Sequence, residues 1–218
     1  MTARTAVIPS EARDLGAALS LDPVVLEGQH VRLESLSLDH VDALAEVALD
    51  PDLWRWTSER AASVEELRAY VERALAAQRD GTALPFATVA RSIGRPVGST
   101  RFANADLGNG RVEIGWTWLG RDWQRTAVNT EAKYLMMRHA FEALGVRRVE
   151  FKTDALNERS RAAIRRIGAR EEGTLRKHAV TMSGRVRNTV YYSVIDDEWP
   201  AVRRRLEDRL AVGPRTTV

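Results

Sequence analysis

The chain has 218 residues, of which 44% are hydrophobic and 29% charged, as is typical of one soluble globular domain with a sizeable core. Its 33 basic and 30 acidic residues give a net charge of +3, which does not favour a DNA-wrapping protein but leaves open a local basic site for a phosphorylated small molecule. The chain has no cysteine, which excludes disulfides, cysteine-based zinc sites and a covalent intermediate on cysteine.

The two ends of the chain are predicted to lie outside the folded domain. Residues 1–22 contain Glu11 and Asp14 and lack an apolar core before a cleavage site, which indicates a poorly ordered, flexible extension and no export signal. No apolar run reaches the roughly 18 residues that a membrane span needs. We therefore expect one domain over residues 23–212, a short tail over residues 213–218, and a cytoplasmic protein without a membrane partner.

The first half of the domain is predicted to contain one strand, two helices and then three strands. Alternating apolar and polar residues predict a strand over His30–Ser35. Asp39, at an N-cap position, opens a helical pattern that ends at Pro51, and a capping-box pattern at Ser63 opens a second one that ends near Arg79. Residues typical of strands, separated by turn signals, predict three successive strands at Phe86–Arg91, Pro96–Asn104 and Arg111–Leu119.

The second half alternates between helices and strands. The predicted elements are a helix over Asn129–Leu144, a strand over Arg148–Thr153, a helix over Asn157–Ile167, strands over Ala169–Lys177 and Asn188–Ile195, and a helix over Asp197–Leu210. Helices interleaved with strands around a central meander predict an α/β domain of the mixed α+β kind, in which one mixed sheet carries helices on both faces.

The segment between the third strand of the meander and the next helix is a candidate anion site. Arg121 and Arg125 flank a polar loop that leads into the helix predicted to begin near Asn129, and a helix N-terminus attracts negative charge. Ala127 and Asn129 stand where glycines would allow a closer approach of the backbone to a ligand. The alternative is an ordinary strand–loop–helix connection, and physical reasoning leaves both open.

Asn157 begins the helix that follows the next strand, and it has two interpretations. Asparagine is a favoured N-cap residue, so a structural role is sufficient to explain it. An amide in this place can also project into a cleft between two diverging strands. The residues alone do not choose between these interpretations.

Four segments together carry a resemblance to a known family: VRLESLSLDHVDAL, VEIGWTWL, NTEAKYLMMRHAFEALGVRRVEFKTDALNERSRAAIRRIGA and EGTLRKH. Over about Leu26–Leu210 the chain resembles the GNAT superfamily of N-acetyltransferases, and within it the RimJ/RimL-like branch of ribosomal-protein N-terminal acetyltransferases. The resemblance implies the GNAT fold, a single central, mostly antiparallel sheet whose fourth and fifth strands splay apart. It also implies acetyl-CoA as co-substrate, no metal and a homodimer.

The resemblance assigns the cofactor site by position. A bulge in the fourth strand would open a gap for the acetyl-pantetheine arm beside the backbone of Thr117 and Trp118. Asn157 would hydrogen-bond the pantetheine arm, Arg161 would lie near the phosphates of the cofactor, and Ser160 would also contact the cofactor. The pyrophosphate would contact the loop and its flanks, namely Arg121, Gln124, Arg125, Thr126, Ala127, Val128, Asn129 and Thr130. The family's loop pattern is Gln/Arg-x-x-Gly-x-Gly/Ala, and this chain matches its first position but neither glycine.

The resemblance also suggests which residues carry the reaction. Glu113, on the fourth strand, is the candidate general base and substrate contact, and a structural ion pair is its alternative interpretation. The superfamily often places a tyrosine acid where this chain has Ile164, so Ser160 is the candidate acid, or else a helix-surface serine. Because cysteine is absent, we expect direct attack of the amine in a ternary complex.

The acceptor site is expected at the loop between the first two helices. Trp54 and Trp56 are candidate walls of the acceptor pocket, and packing onto the core is their alternative. Arg185 and Arg187 could attract an acidic acceptor or simply belong to a solvated turn. The four histidines have no metal-ligand spacing.

Three classes of function follow. The leading hypothesis is an N-acetyltransferase that transfers acetyl from acetyl-CoA to a primary amine, on a protein N-terminus or a small molecule. The second is a CoA-binding regulatory module with little transferase activity, which the missing glycines and tyrosine would favour. The third, a nucleic-acid binder, is supported only by a sequence pI of about 9.6 and lacks a basic patch with interleaved aromatic residues.

Overall fold

The computed structural model describes residues 21–212. The extension predicted over residues 1–22 and the tail predicted over residues 213–218 lie outside the described residues, apart from Leu21 and Asp22. The described strands are β1 (Leu26–Glu27), β2 (Val31–Ser35), β3 (Ala83–Ala90), β4 (Arg95–Asp106), β5 (Arg111–Leu119), β6 (Arg148–Asp154), β7 (Arg170–Val180) and β8 (Val186–Ile195). They form one eight-stranded sheet in the order β1-β2-β3-β4-β5-β6-β8-β7, in which only β5 and β6 run parallel.

Five α-helices accompany these strands in the described part of the chain. They are α1 (Val41–Ala48), α2 (Val64–Arg79), α3 (Ala127–Arg138), α4 (Glu158–Arg166) and α5 (Trp199–Ala211). The predicted order of elements and the mixed, mostly antiparallel sheet are confirmed. The one added strand, β1, has only two residues, too few for an alternation to show in the sequence.

Some helix boundaries differ from the prediction. Asp39 lies inside a short 3-10 turn that precedes α1, so it does not cap that helix. Helix α3 begins at Ala127, two residues before the start predicted near Asn129, because the Thr126 side chain accepts a hydrogen bond from the Val128 N–H (3.3 Å) and caps the helix earlier. At its end α3 continues into a π-helical turn over His139–Ala143.

Two apolar clusters lie on opposite faces of the sheet. Strand β3 is buried along its whole length, with Phe86 in one cluster and Ala87 in the other. The larger cluster packs α3 and α5 against one face, and the smaller packs α1 and α2 against the other. The helices on both faces that the sequence predicted are therefore present, and the period-2 alternation of the central strands explains their double coverage.

A β-bulge in β5 changes which residues face each side. Arg101 of β4 pairs with Gly115, and Ser99 pairs with Trp118, so β5 has one more residue than β4 between these pairs. Trp116, within the bulge, has a φ of +47°. Because side chains alternate along a strand, the extra residue reverses the pattern, and Trp118 joins the α1/α2 cluster while Val112 and Ile114 belong to the α3 cluster.

Strands β5 and β6 pair only at their beginnings. Their register includes Arg111 with Arg148, Val112 with Val149 and Glu113 with Glu150, and it stops there. Beyond these pairs the second half of β5 has no strand partner on that side among the described residues. The family's splayed fourth and fifth strands correspond to β5 and β6, because the additional β1 shifts the count by one.

Candidate active site

The opening between the diverging strands is bounded by Ile114–Leu119 of β5 and by Phe151–Asp154 of β6, and we call it the wedge. Its β5 edge contains the bulge, where Thr117 and Trp116 are exposed. An unpaired strand edge presents backbone N–H and C=O groups that an extended ligand can bind as an added strand. The wedge is therefore suited to an extended chain with amide groups.

Glu113 lies at the base of the wedge, and its side chain is held by two neighbours. Its Oε2 accepts a hydrogen bond from Asn104 Nδ2 (2.6 Å) and lies 2.7 Å from Lys152 Nζ. The residue is only 5% exposed. Burial by itself would lower the pKa of Lys152, but the hydrogen bond and charge of Glu113, together with smaller effects of Tyr191 and Glu150, outweigh it and raise that pKa overall. Oε2 is thus committed to a buried ion pair, and Oε1 has no such partner among the described residues.

On the opposite face of the sheet, a buried lysine supports the bulge. Lys133 Nζ on α3 donates to Thr117 Oγ1 (2.6 Å) and to Thr100 Oγ1 (3.0 Å), and the two hydroxyl oxygens lie 2.7 Å apart. No described carboxylate forms an ion pair with this lysine. Burial lowers the pKa of Lys133 to about 7, since no described carboxylate offsets the lost hydration of the ammonium.

Three aromatic rings pack together on the α1/α2 side of the wedge. The Trp54 ring centroid lies 5.4 Å from that of Tyr70 and 5.5 Å from that of Trp118. Trp54 Nε1 donates to Ala48 O at 2.8 Å, and Trp118 Nε1 donates to the Tyr70 hydroxyl at 3.3 Å. The structure therefore places Trp54 in the core, which corresponds to the second of its two interpretations.

Trp56 has a different environment from Trp54. It is half-buried, and the guanidinium groups of Arg55 and Arg185 lie 5.0 Å and 5.6 Å from its ring. Arg187 Nη1 donates to the Trp56 carbonyl at 3.4 Å, and Arg185 also forms an ion pair with the buried Asp154. The late hairpin is thus joined to the loop before α2, and its arginines form a basic rim around Trp56.

The loop before α3 is shaped by side-chain hydrogen bonds. Gln124 Nε2 donates to Leu119 O (3.0 Å), and Gln124 Oε1 accepts from Arg159 of α4 (2.7 Å). Arg125 has a φ of +66°, a left-handed conformation that glycine adopts more easily, and its side chain is exposed. Thr126 Oγ1 donates to Trp123 O at 2.8 Å. This loop reaches the helix N-terminus without the two glycines of the family pattern.

The first turn of α3 offers polar groups to a ligand. The N–H groups of its first residues have no acceptor within the helix. Thr126 caps one of them, the Val128 N–H, with its side chain. Asn129 Oδ1 is buried and has no hydrogen-bond partner among the described residues. A cavity of about 460 Å³ opens beside this turn, lined by Gln29, His30, Arg91, Ser92, Trp123, Thr126, Ala127 and Val128. An acceptor without a partner and uncapped N–H groups fit a polar ligand better than a closed core. Val128 and Thr130 are buried residues of the same turn.

Two arginines assigned to the cofactor have other partners in this structure. Arg121 donates to Asp50 Oδ2 (2.8 Å) and Asp52 Oδ2 (3.1 Å) in the segment between α1 and α2. Arg161 donates to the Tyr192 hydroxyl (3.1 Å) and to Ala155 O (3.2 Å). Both side chains therefore connect elements of the fold, and the structure does not direct them at the loop before α3.

Asn157 and Ser160 lie at the start of α4, near the far end of β6. Asn157 Oδ1 accepts a hydrogen bond from the Ser160 N–H at 3.0 Å, so the residue caps the helix as one of its two interpretations required. Ser160 is half-buried, and its hydroxyl has no hydrogen-bond partner among the described side chains. Ile164, one turn further along α4, is buried against the core.

Several residues near the wedge were not predicted from the sequence. Lys133, Arg101, Asn104 and Lys152 contact the bulge or the proposed base, but each is a polar residue without a motif. One signal was available for Lys133, since it is a lysine inside a run of apolar residues that the helical pattern buries. The others depend on pairing between strands, which the sequence does not specify.

Two other kinds of site are absent from residues 21–212. No helix in that part is long and apolar enough to cross a membrane. The same residues contain no cluster of three or more histidine, aspartate or glutamate side chains that could hold a metal ion.

The splayed strands, the bulge and the helix that starts at the wedge define an acetyltransferase of the GNAT class, and comparison with known proteins agrees. The model of the family described as "Acetyltransferase (GNAT) domain" matches residues 30–170, and the chain belongs to this family. The resemblance found in the sequence is thereby confirmed.

Three relatives show how similar the chain is to known proteins in sequence and structure. The chain is 35% identical over 96 residues to "Putative ribosomal N-acetyltransferase YdaF" of Bacillus subtilis (strain 168), covering 44% of this chain and about half (51%) of that relative. A solved GCN5-related N-acetyltransferase from Brucella melitensis is 33% identical, with a TM-score of 0.80 over 86% of this chain and 85% of the other. Mycobacterium smegmatis RimJ, solved in complex with CoA-disulfide, is 22% identical with a TM-score of 0.75 over 86% and 95% of the two chains, and this likeness shows the fold.

Proposed function

We propose that this protein is an acetyl-CoA-dependent N-acetyltransferase that acetylates a primary amine by direct attack in a ternary complex. The observation that carries the proposal is the wedge, a gap between β5 and β6 with a bulged, unpaired strand edge in a chain of the GNAT family. Acetyl-CoA supplies an activated acyl group as a thioester. The rest of the chemistry falls to the residues of this chain.

The residues around the wedge suit acetyl-CoA. The β5 backbone at Thr117 and Trp118 would bind the amides of the pantetheine arm, and the first turn of α3 would bind the pyrophosphate through free N–H groups. The buried Asn129 Oδ1, which lacks a partner, would accept a hydrogen bond from a hydroxyl or amide N–H group of the cofactor. The Mycobacterium smegmatis relative of the same fold was solved with CoA-disulfide, which supports this assignment.

Glu113 is the general base in this proposal. An amine attacks a thioester only when it is neutral, so a group near the wedge must accept its proton. Oε2 of Glu113 is occupied by Asn104 and Lys152, which leaves Oε1 to accept the proton of the amine, directly or through a bridging water. The backbone N–H groups at the bulge would stabilise the developing oxyanion.

Ser160 is the proposed acid. Its hydroxyl has no partner among the described side chains and is therefore free to protonate the leaving thiolate. Ile164 stands at the position where the superfamily often has a tyrosine acid. It is buried, and its side chain has no acidic proton. Asn157 and Arg161 would lie beside the cofactor on the same helix, in addition to the structural contacts that they already make.

The acceptor would enter from the α1/α2 side, past Trp56. This face holds Glu113, and the basic rim around Trp56 lies at its edge. A protein N-terminus and a small amine are both acceptors of the required chemistry. The Bacillus subtilis relative is named as a ribosomal N-acetyltransferase, which supports the first of them.

Two measurements test the function in sequence. Acetyl-CoA is expected to raise the melting temperature, because a ligand that binds only the folded state stabilises it. Release of CoA thiol is then measured with a panel of amines, and the cysteine-free chain contributes no thiol background. A melting shift without thiol release would support the alternative, a CoA-binding regulatory module, and the absence of both effects would overturn the proposal.

We also propose that the protein assembles as a homodimer. Strand β7 forms one outer edge of the sheet, and the β7–β8 hairpin exposes Leu175, Val180, Met182 and Val186. An exposed edge strand with apolar side chains is a common site of association. Sedimentation analysis measures the assembly, and replacing Leu175 and Val180 by lysine is expected to give a monomer.

A further inference from the structure

Arg101 on β4 is a buried cation without a partner. The residue is 5% exposed, and its Nε and Nη2 atoms are buried without a hydrogen-bond partner among the described residues. The structure gives it no ion pair with a carboxylate in residues 21–212. A buried charge that lacks a partner is costly, so an arginine in this state calls for an explanation.

Two aromatic rings hold the Arg101 guanidinium in place. It lies 5.2 Å from the centroid of Tyr70 and 5.1 Å from that of Trp116. Cation–π contacts of this kind stabilise the charge and fix the plane of the group, but they leave its N–H donors free. Trp116 is 37% exposed, so one of the two rings that contact the guanidinium reaches the protein surface at the bulge.

The location connects Arg101 with the proposed reaction. Arg101 on β4 pairs with Gly115 on β5. Gly115 follows Glu113 by two residues, so the side chains of Arg101 and Glu113 lie on the same face of the sheet. Glu113 does not neutralise Arg101, because its carboxylate is paired with Lys152 and Asn104. The face on which an amine would meet its base therefore also carries an unused guanidinium.

We infer that Arg101 binds a carboxylate of the acceptor, so that the preferred substrates are primary amines with a carboxylate close to the amine. This inference rests on the proposed function. An arginine fork binds a carboxylate through two parallel hydrogen bonds, which would satisfy the unpaired donors and orient the amine toward Glu113. The arginines around Trp56 would favour the approach of the same acidic molecules.

Two sources of this chemistry can be separated by matched acceptors. The first pair is glycylglycine and glycylglycinamide, which differ in the terminal carboxylate. The second pair is the C-terminally amidated peptides Ala-Asp-Ala and Ala-Asn-Ala, which differ in one side-chain carboxylate. For the pair whose geometry fits, wild type is expected to show a kcat/KM at least about 10-fold higher for the carboxylate member, the effect of one hydrogen bond to a charged group.

The variant Arg101→Met separates binding from folding. It retains the apolar stem between Tyr70 and Trp116 and removes the unpaired charge, so its melting temperature is expected to equal or exceed that of wild type. Its preference for the carboxylate member is expected to disappear, with the KM for acetyl-CoA within about 2-fold of wild type. Arg101→Lys keeps a point charge without the fork and is expected to retain part of the preference. Arg95→Met, on an exposed part of the same strand, is the matched control.

The outcomes distinguish a failure of the Arg101 inference from a failure of the proposed function. Equal carboxylate preference in wild type and Arg101→Met, in both pairs, would overturn this inference and leave the proposed function intact. Because the ratio is compared between variants, differences in amine basicity within a pair cancel. If none of the tested amines leads to release of CoA, the proposed function is overturned instead. In that event, thermal stabilisation by glutarate in wild type but not in Arg101→Met would still support a carboxylate site, and its absence would refute one.

Discussion

Lys133 Nζ donates a hydrogen bond of 2.6 Å to Thr117 Oγ1, and this contact joins the buried side of α3 to the bulge of β5. The bulge turns the Thr117 side chain toward α3, whereas its neighbour Trp118 packs against Trp54 and Tyr70 on the other face. One helix residue thus supports the strand distortion that opens the wedge. The cost is a lysine held in an environment that disfavours its charge.

The stability of the protein is expected to depend on pH through Lys133. The pKa is about 7 in the folded protein against an ordinary value of 10.5, so the unfolded chain binds the additional proton between these two values. Wild-type stability therefore rises with pH from 7 toward 10.5, by at most about 1.4 kcal/mol per pH unit, and this contribution is flat below pH 7. The stability that Lys133→Met gains over wild type is therefore expected to be largest below pH 7 and to decrease progressively above it.

Urea unfolding of both proteins from pH 6 to pH 9.5 measures this difference. The hydrogen bonds lost to Thr100 and Thr117 add an offset that does not depend on pH. Lys177→Met, at an exposed position, is the matched control for the loss of a lysine outside the core. The same pH dependence in Lys133→Met and Lys177→Met would contradict the neutral buried amine.

Glu113→Gln is expected to lower turnover about 100-fold while the affinity for acetyl-CoA stays within about 2-fold of wild type. The amide keeps the shape of the side chain but cannot accept a proton, and a general base typically contributes a factor of this size. Thiol release gives the turnover, and the shift in melting temperature with acetyl-CoA gives the affinity. Glu150→Gln removes a neighbouring buried carboxylate that lies 3.8 Å from Lys152, and it is expected to turn over normally. Unchanged turnover in Glu113→Gln would leave the carboxylate only its structural role in the ion pair.

Asn157 is expected to have two separable roles. Asn157→Ala removes the N-cap of α4 and is expected to cost about 1 kcal/mol of stability as well as weakening acetyl-CoA binding. Asn157→Ser keeps a capping oxygen but has no amide N–H group, so it is expected to preserve stability and still weaken binding. Chemical unfolding and equilibrium titration with acetyl-CoA measure the two effects. Wild-type affinity in the serine variant would assign Asn157 to the helix cap alone.

Glu131 is expected to be a strong determinant of stability. Its buried carboxylate accepts hydrogen bonds from the backbone N–H groups of Gln29, His30 and Val31, at 2.8, 2.6 and 2.7 Å. Glu131→Gln replaces one accepting oxygen with a donor and is expected to cost about 3 kcal/mol, because buried donors then lose their partner. Glu46→Gln, which breaks an exposed ion pair with Arg95, is the comparison and is expected to cost less than about 1 kcal/mol. Similar costs in urea unfolding for the two variants would argue against this role.

The candidate site could be predicted only in part. The sequence located the strand with Glu113 and Thr117, the loop before α3 and the start of α4, because the family motifs are continuous in the chain. It left Trp54 between pocket and core, and the structure places that ring against Tyr70 and Trp118. A choice of this kind depends on which face of a neighbouring element lies opposite, and no local pattern records it.

The order of helices and strands and the apolar faces that they bury were determined by the sequence itself, because the periods of 3.6 and 2 residues are local properties of the backbone. The bulge was implied by family resemblance, but its position at Trp116 and the reversal of facing at Trp118 became visible only in the sheet. The burial of the basic side chains of Lys133 and Arg101 was likewise decided by tertiary structure. Whether a charged side chain is exposed, paired or isolated depends on residues far away in the chain, which meet only when the sheet and helices pack together.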